Sequence, residues 1–565
     1  MTGTIHQNVP DSRGTNAWRA DPVFAVLLDL YMTPQVRALL DPQLDRMGAL
    51  VGDRLERLAI EADRNPPVLS LRARNGAPDE RVEKHPAYRE LEQVAFADFG
   101  LAAMSHRAGV FGAGAPLPPV AKYALVFLLV QAEFGLCCPL SMTDSLTRTL
   151  RRFGDADLVA RHLDGLLSQD MEALTQGAMF MTEQAAGSDV GAIDTVAREE
   201  GGEWRLWGDK WFCSNPDAGL AMVLARPEGG QDGTRGLSLF LLPRDLPDGS
   251  RNAYRIVRLK DKMGTRSMAS GEIVMEGAAA WLVGDPGQGF KQMTDMINMS
   301  RLANGVRSAG LMRRSVAEAL FIARHRTAFD GRLIDKPLMR RQLAKMVVSA
   351  EQARSMVFHT ARVLEAADGG DAEMARVLRI LTPLIKFRTC REARKVAGDA
   401  MEVRGGCGYI EEWSDARVLR DAHLGSIWEG TSNIVALDVA RAARRAGAGE
   451  ALTDYLEGLL SEVDAPLADQ LRALLGRAAA LLTEAAEGAE AEVRRAATAL
   501  YHVTSAIFLA WEGARIEGPT GTDRRRLAEL VVTHRLCPAD PLAPVAADPE
   551  WLPDLLARAG CDTDG

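Results

Sequence analysis

The strongest constraint on the fold is a change of residue pattern that occurs twice along the chain. From about residue 23 to 175, and again from about 290 to 446, apolar residues recur at helical spacing. Between these stretches lie short runs typical of β-strands, such as LSLFLLPR and YRIVRL, which are separated by Gly, Asp and Pro. The sequence therefore predicts a mainly α-helical protein with one central β-barrel or β-sandwich domain.

Four domains are expected from these patterns. Residues 1 to about 20 are polar and are expected to form an arm, and AGAGE at 446–450 is a candidate linker before an Ala-rich helical region. The expected domains are an N-terminal helical domain at 1–177, a central β domain at 178–289, a second helical domain at 290–446 and an extra C-terminal helical domain at 447–565.

Composition and charge argue against several classes of function. A net charge of −9 and a pI near 5.7 give no global reason to bind nucleic acid or an anionic membrane. The N-terminus has no signal-peptide core, and the longest apolar run, at 123–132, is about half the length that spans a bilayer. The seven cysteines are scattered without metal-like spacing. We therefore expect a cytoplasmic protein with reduced thiols, no membrane segment and no metal site.

Three short motifs contain residue types that could hold a flat or phosphorylated ligand. MTEQAAGSDV at 181–190 offers hydroxyl and backbone donors, although an ordinary turn would look the same. GDKWFCSN at 208–215 places a serine two residues after a phenylalanine, and aromatic residues in a strand usually belong to the core. VRGGCGYIEEW at 403–413 has glycines that would let the backbone approach a ligand or end a helix.

A single carboxylate stands out in GSIWEGTSNI, residues 425–434. Glu429 lies between the bulky Trp428 and the flexible Gly430, and Thr431 or Ser432 could cap the apolar helix that follows. A carboxylate held beside an indole and a loop glycine is also a suitable general base. The segment alone leaves both interpretations open.

The order of these motifs along the chain resembles that of the acyl-CoA dehydrogenase family of FAD flavoproteins. The resemblance covers roughly residues 85–446. Within the family, the chain resembles the AidB-type branch more than other branches. The segments that carry this resemblance are MTEQAAGSDV, GDKWFCS, PLMRRQLAKM, AMEVRGGCGY and SIWEGTSNI. It implies an N-terminal helical domain, a central β domain and a C-terminal four-helix bundle that carries FAD and the catalytic base. The extra helical domain after residue 446 also fits that branch.

The resemblance implies roles for individual residues. Glu429 matches the base that takes the α-proton of an acyl thioester while a hydride leaves the β-carbon for flavin N5. Arg301 and Trp428 are expected at the substrate. Arg326 and Phe329 match a turn that reaches the FAD of a neighbouring subunit. The other residues expected at FAD are Met181, Thr182, Gly187, Ser188, Phe212, Ser214, Gly405, Gly406, Thr431 and Asn433.

Some positions depart from the family pattern. Ser300 stands where other members carry their base, so the competing base position holds no carboxylate. Trp428 replaces a more usual tyrosine, which would narrow the acyl pocket. Asp330 stands in place of a glycine in the turn at Arg326, and Asn298 in place of an aspartate on the CoA-binding helix. These departures favour a short, branched or unusual acyl thioester.

The resemblance also implies partners. An electron-transfer flavoprotein or oxygen would accept the electrons, and the chain would form a homotetramer. The alternatives are a DNA-associated flavoprotein that protects against alkylation damage, and a flavoprotein scaffold with vestigial activity. DNA is disfavoured because residues 447–565 contain 20 Asp and Glu against 10 Arg and no Lys.

Overall fold

The computed structural model describes residues 9–544 and 547–560, so the first eight residues of the expected arm and Cys561 lie outside it. The first part of the chain is helical, as its periodicity predicts. Its helices are α1 (Pro22–Tyr31), α2 (Pro34–Gly52), α3 (Arg54–Arg64), α4 (Pro86–Glu92), α5 (Pro119–Leu129), α6 (Cys137–Phe153) and α7 (Ala156–Leu166). The run expected to be a buried helix, 123–132, is helical as far as Leu129 in α5, and every residue of α5 after Pro119 is buried.

A β-hairpin, which the helical pattern did not predict, interrupts this domain. Strands β1 (Val68–Arg72) and β2 (Pro78–Glu83) pair antiparallel. Gly76, with φ of +85°, lies in the connecting turn, where glycine is the residue that fits best. Both strands are short and mostly exposed, so an apolar pattern carries little information about them.

The central strands form a closed barrel. In the seven-stranded sheet, β6 pairs with β4, β4 with β5, β5 with β9, β9 with β7, and β7 again with β6, so the pairings complete a ring. Strand β3 extends from β6 and β8 from β9. The strands are β3 (Gly177–Phe180), β4 (Val196–Glu200), β5 (Glu203–Ser214), β6 (Leu220–Pro227), β7 (Ser238–Pro243), β8 (Tyr254–Leu259) and β9 (Ser270–Val283).

Long helices follow the barrel and form a bundle. Helix α8, with 37 residues, is about 55 Å long and is buried along most of its length between the N-terminal helices and the bundle. The elements are α8 (Gly289–His325), β10 (Thr327–Ala328), β11 (Gly331–Arg332), α9 (Pro337–Asp368), α10 (Ala372–Arg404), α11 (Gly406–Tyr409), α12 (Asp415–Gly425) and α13 (Ser432–Ala446). The predicted fold class, mainly α with a central β domain, is confirmed.

The C-terminal helices pack against this bundle. They are α14 (Ala448–Leu460), α15 (Ala465–Glu487), α16 (Val493–Arg515), α17 (Gly518–Val531) and α18 (Leu552–Arg558). The candidate linker at 446–450 is a single bend at Gly447, with φ of +59°, between α13 and α14. In the described ranges no helix is both long and apolar enough to cross a membrane.

Buried charged side chains join these C-terminal helices to the rest of the molecule. Arg524 of α17 donates to Glu512 of α16 at 2.7 Å and also contacts Glu351 of α9. Arg354 of α9 donates to Glu351 and, at 2.7 Å, to Asp21 beside α1. Because a buried charge is tolerated only when it is paired, these contacts fix how the three regions pack together.

We expect the Glu512→Gln substitution to lower the free energy of unfolding by about 1–3 kcal/mol, because it removes one of the two carboxylates that pair with the buried Arg524 guanidinium. Urea denaturation of the wild type and the variant measures the difference. The control is Glu457→Gln, which breaks an exposed pair with Arg472 and is expected to change stability by less than about 1 kcal/mol. Equal effects of the two substitutions would contradict the assignment.

Candidate active site

Glu429 lies in the loop between α12 and α13, and its carboxylate is held on both sides. The Ser300 hydroxyl donates to Oε1 and the Asn304 amide donates to Oε2. Both donors lie one turn apart on α8, so a single buried helix face orients the carboxylate. Glu429 itself has φ of +54°, a left-handed conformation that is costly for a residue other than glycine.

The backbone of this loop is also anchored. Arg301 Nε lies 3.3 Å from the Glu429 carbonyl oxygen, and its Nη1 donates to Asp438 of α13 at 2.7 Å. Lys386 of α10 donates to the Gly430 carbonyl. The loop is therefore held by α8, α10 and α13 together, which leaves the Glu429 carboxylate little freedom to move.

Lys386 is a second titratable group at this loop. Burial lowers the pKa of its amine from the ordinary 10.5 to about 8, and the nearby Glu429 carboxylate offsets only part of that effect. Lys386 was not among the predicted site residues, because one lysine in a long helix is usually on a solvated face.

Aromatic rings form one wall of the site. Trp428 stacks on Phe134, with ring centroids 5.9 Å apart and planes 17° from parallel. The fully buried Arg307 guanidinium lies over the Trp428 ring, 4.7 Å from its centroid. The structure thus places Trp428 beside Glu429, with its ring packed between Phe134 and Arg307.

The end of strand β5 reaches the same region through Cys138 of α6. Burial raises the pKa of the Cys138 thiol, the charges of Arg307 and Glu429 both act on it, and the Ser214 hydroxyl lies within hydrogen-bonding reach of it. Phe212, two residues before Ser214, is 57% exposed. The structure therefore brings the predicted Ser214 and the predicted Glu429 into one neighbourhood.

The other predicted segment of the barrel lies beside β5. The Trp211 amide donates to the Thr182 carbonyl at 2.8 Å, so the backbone at Thr182 runs beside β5 at the residue before Phe212. Gly187 and Ser188 are exposed in the following turn, and a Cβ on Gly187 would meet no atom of the described structure within 4 Å.

These residues fit the chemistry of FAD. A flat apolar ring system could cover the exposed Phe212, and the donors of Thr182 and Ser188 suit its polar edge. The open surface at Gly187 leaves room for a bulky group. In the same described residues no group of three His, Cys, Asp or Glu could hold a metal ion.

Other predicted residues lie far from Glu429 within the same chain. Arg326 follows the end of α8, 26 residues after Ser300, which corresponds to about 39 Å along the helix. Its Nη1 lies 3.3 Å from the Arg404 carbonyl, beside Gly405 and Gly406, which are exposed. Phe329, at the tip of the β10–β11 hairpin, is 87% exposed.

Thr431 and Asn433 lie at the start of α13, close in sequence to Glu429. Both are exposed. Thr431 is the N-cap residue of α13, yet in the described structure its side chain makes no capping hydrogen bond. The Ser432 hydroxyl accepts a hydrogen bond from Arg391 at 3.2 Å. The interpretation that the Thr431 or Ser432 hydroxyl caps α13 therefore has no hydrogen bond to support it in the described structure.

The chain matches three family models that follow one another along the sequence. They are the Adaptive response protein AidB N-terminal domain at residues 7–173, the middle domain of acyl-CoA dehydrogenases at 178–278, and the C-terminal domain of acyl-CoA dehydrogenases at 287–444. The first match includes the N-terminal domain that precedes the barrel.

Individual proteins are similar over most of the chain. AidB of Escherichia coli strain K12 is 37% identical over 406 residues, which are 70% of this chain and 72% of that protein. Acyl-CoA dehydrogenase family member 11 of Caenorhabditis elegans is 32% identical over 452 residues, 78% of this chain and 72% of that protein. The crystal structure of Caenorhabditis elegans ACDH-11 in complex with C11-CoA is 26% identical, with a TM-score of 0.86 over 97% of this chain and 95% of that one.

We expect stability to depend on pH through Lys386. Below about pH 8 its amine is charged in both the folded and the unfolded protein, and the cost of burying that charge is fully present. Between about pH 8 and 10.5 the folded protein has lost the proton that the unfolded chain keeps, so the free energy of unfolding rises with pH. The expected rise from this group is at most about 3 kcal/mol.

Urea denaturation at pH 7.5 and 10, for the wild type and for Lys386→Met, tests this. The variant is expected to lack the rise, whereas the exposed control Lys395→Met, which breaks only a pair with Asp399, keeps it. Parallel pH dependences of the wild type and Lys386→Met would show that the amine keeps its ordinary pKa.

Proposed function

This chain belongs to the acyl-CoA dehydrogenase family, and on that premise we propose that it is an FAD-dependent oxidoreductase acting on a short, branched or unusual acyl thioester. The observation that supports the proposal is the position of the Glu429 carboxylate, which accepts hydrogen bonds from Ser300 and Asn304 of α8. Ser214, at the end of β5, acts on the same Cys138 thiol as Glu429 does. An electron-transfer flavoprotein or oxygen would reoxidise the cofactor.

The proposed ligand class has support from relatives and from the site. The Caenorhabditis elegans structure holds C11-CoA, so a relative of similar fold binds an acyl thioester. In the present chain Trp428 is stacked against Phe134, which restricts the space beside the base. Smaller or differently shaped acyl groups are therefore favoured here over long straight chains.

Glu429 is proposed as the base that takes the α-proton of the acyl group. FAD supplies the hydride acceptor for the β-carbon when it is bound. Each carboxylate oxygen of Glu429 accepts one hydrogen bond, from Ser300 or Asn304, and each retains a lone pair that can receive the proton. No second carboxylate is required of the protein, and Ser300 cannot take over the role.

The loop that carries Glu429 can also polarise the thioester. In the described hydrogen-bond network the backbone N–H of Glu429 donates to no acceptor, so it is available to the thioester carbonyl oxygen. The Arg301 and Lys386 side chains bind the neighbouring carbonyls of Glu429 and Gly430. They hold the loop so that the N–H and the carboxylate keep a fixed relation to each other.

A DNA-associated function remains a weaker alternative with one observation in its favour. Arg388, Arg391 and Arg394 of α10 lie near Arg494 of α16, and burial together with these neighbouring charges lowers the pKa of Arg391. Such a group of arginines suits a polyanion. DNA binding would leave the oriented Glu429 carboxylate without a role, however. The excess of acidic residues after residue 447 also opposes the binding of a polyanion.

We propose that the chain assembles as a homotetramer in which Arg326 and the loop at Gly405 serve the cofactor of a neighbouring subunit. The separation of about 39 Å between Ser300 and Arg326 along α8 supports a role outside the chain's own site. Three large apolar side chains are strongly exposed in this part of the molecule: Phe329, Leu338 and Tyr409, at 87%, 84% and 78%. Such exposure is typical of a protein–protein interface.

We expect Glu429→Gln to retain FAD and fold but to slow flavin reduction at least about a hundredfold, the lower end of what a positioned general base contributes. The amide preserves the shape and removes the base. Anaerobic stopped-flow bleaching of the flavin by short acyl-CoA thioesters measures the rate. The exposed Glu412→Gln serves as the control and is expected to react like the wild type.

The loss is expected in the rate constant for reduction rather than in thioester binding, because proton abstraction belongs to the transition state. Near-normal reduction by Glu429→Gln would show that the base lies elsewhere. If no thioester bleaches the wild-type flavin, the dehydrogenase proposal fails and the DNA-associated or scaffold alternatives gain support.

For assembly, we expect sedimentation of the FAD-loaded wild type near 245 kDa, the mass of four 61.2 kDa chains. Phe329→Glu is expected to shift this toward smaller species and to lower the FAD content, because it places a charge in an apolar interface. Leu542→Glu changes a residue that is 92% exposed in the C-terminal region and is expected to leave both unchanged. A stable monomer with full FAD content would overturn the proposal.

A further inference from the structure

Arg307 lies on the same face of α8 as the two donors that hold Glu429. Positions 300, 304 and 307 are spaced by one and two helical turns, so their side chains point the same way. Arg307 is fully buried, and its guanidinium lies over the Trp428 ring. Its Nε donates to the Ala303 carbonyl at 3.2 Å, which directs the head group back toward the Glu429 end of the helix.

The rest of this guanidinium has no carboxylate or carbonyl partner. Within the described residues neither Nη1 nor Nη2 of Arg307 donates to an oxygen, and the polar group close to it is the Cys138 thiol, a weak acceptor. The oxygens of Glu429 accept hydrogen bonds from Ser300 and Asn304 rather than from Arg307. A buried cation with free donors is expensive, and native proteins normally pair it.

The surrounding charges do not compensate for it. Arg301 is paired with Asp438, which lies at 2.7 Å and is shared with Arg379. Arg307 and the Lys386 amine are close enough to repel each other. The Glu429 carboxylate acts electrostatically on Lys386 and also on Cys138, the thiol beside Arg307. The site therefore has more positive than negative charge.

Arg307 also borders free space. A small cavity of about 20 Å³, room for roughly one water molecule, is bounded by Arg307 and apolar side chains, and also by Lys122 and Asp144, which pair with each other at 2.7 Å. The guanidinium is thus not enclosed by packed side chains on every side.

We propose that Arg307 binds a carboxylate at the far end of a short acyl chain whose thioester lies at Glu429. The inference rests on the proposed function and gives it a substrate class, monothioesters of dicarboxylic acids. The Arg307 guanidinium lies over the ring of Trp428, the residue that precedes Glu429, so an acyl chain that reaches both groups must be short. A guanidinium recognises a carboxylate better than any other side chain does, through paired N–H donors.

The test compares acyl chains of equal length that end in a carboxylate or a methyl group. Glutaryl-CoA is compared with pentanoyl-CoA, and succinyl-CoA with butanoyl-CoA, on the FAD-loaded protein. Calorimetry gives the dissociation constants, and anaerobic stopped-flow gives the rate of flavin bleaching. The wild type is expected to bind the carboxylate member of a pair about tenfold to a hundredfold more tightly.

Arg307→Met is expected to lose this preference or reverse it, because the buried charge is replaced by an apolar side chain of similar length. Arg307→Lys is expected to keep a reduced preference. Arg394→Met, which removes a partly buried arginine of α10, is the control and is expected to keep the full preference. Should Arg307→Met fail to fold, the wild-type comparison and Arg307→Lys still decide the matter.

Three outcomes would overturn the inference: equal or tighter binding of the methyl-ended thioesters by the wild type, a preference that survives in Arg307→Met, or no binding of either member. If both members bleach the flavin equally well, the dehydrogenase function stands and the role of Arg307 falls. If the carboxylate member binds selectively without bleaching, the role of Arg307 stands and the dehydrogenase function falls.

Discussion

The structure depends on the burial of α8. This helix passes through the interior with charged and polar side chains on it, and most of its buried charges are paired with side chains of other elements. Arg313 pairs with Asp21 of the N-terminal region at 2.8 Å, and Glu318 pairs with Arg404 of α10. The same requirement places Glu429 where its carboxylate meets the donors of α8. The packing of the domains and the geometry of the site thus have one physical cause.

Much of the fold could be predicted because the helical and β patterns are long and change sharply. The barrel strands and α5 follow directly from apolar runs, since whole strands such as β7 are buried. The β1–β2 hairpin could not be predicted in this way, because its few residues are largely exposed and lack an apolar pattern. Its stability comes from tertiary contacts that no local pattern records.

The site was predictable only in part for a related reason. Glu429 and Ser214 stand out because they lie in loops or at strand ends with unusual neighbours. Arg307, Asn304 and Lys386 lie inside long helices, where a charged or polar residue normally marks the solvated face. On α8 polar residues are buried on all sides, so periodicity cannot show which of them face the site. Their roles emerge only when the partners are known in space.

The left-handed backbone of Glu429 has a consequence for how such a protein can change over time. At φ of +54° the residue that fits best is glycine, and a glycine there would relieve the strain in the loop. It would also remove the carboxylate that Ser300 and Asn304 hold. If Glu429 is the proposed base, a substitution that improves thermal stability at this position eliminates reactivity, so screening for stability alone would lead away from an active protein.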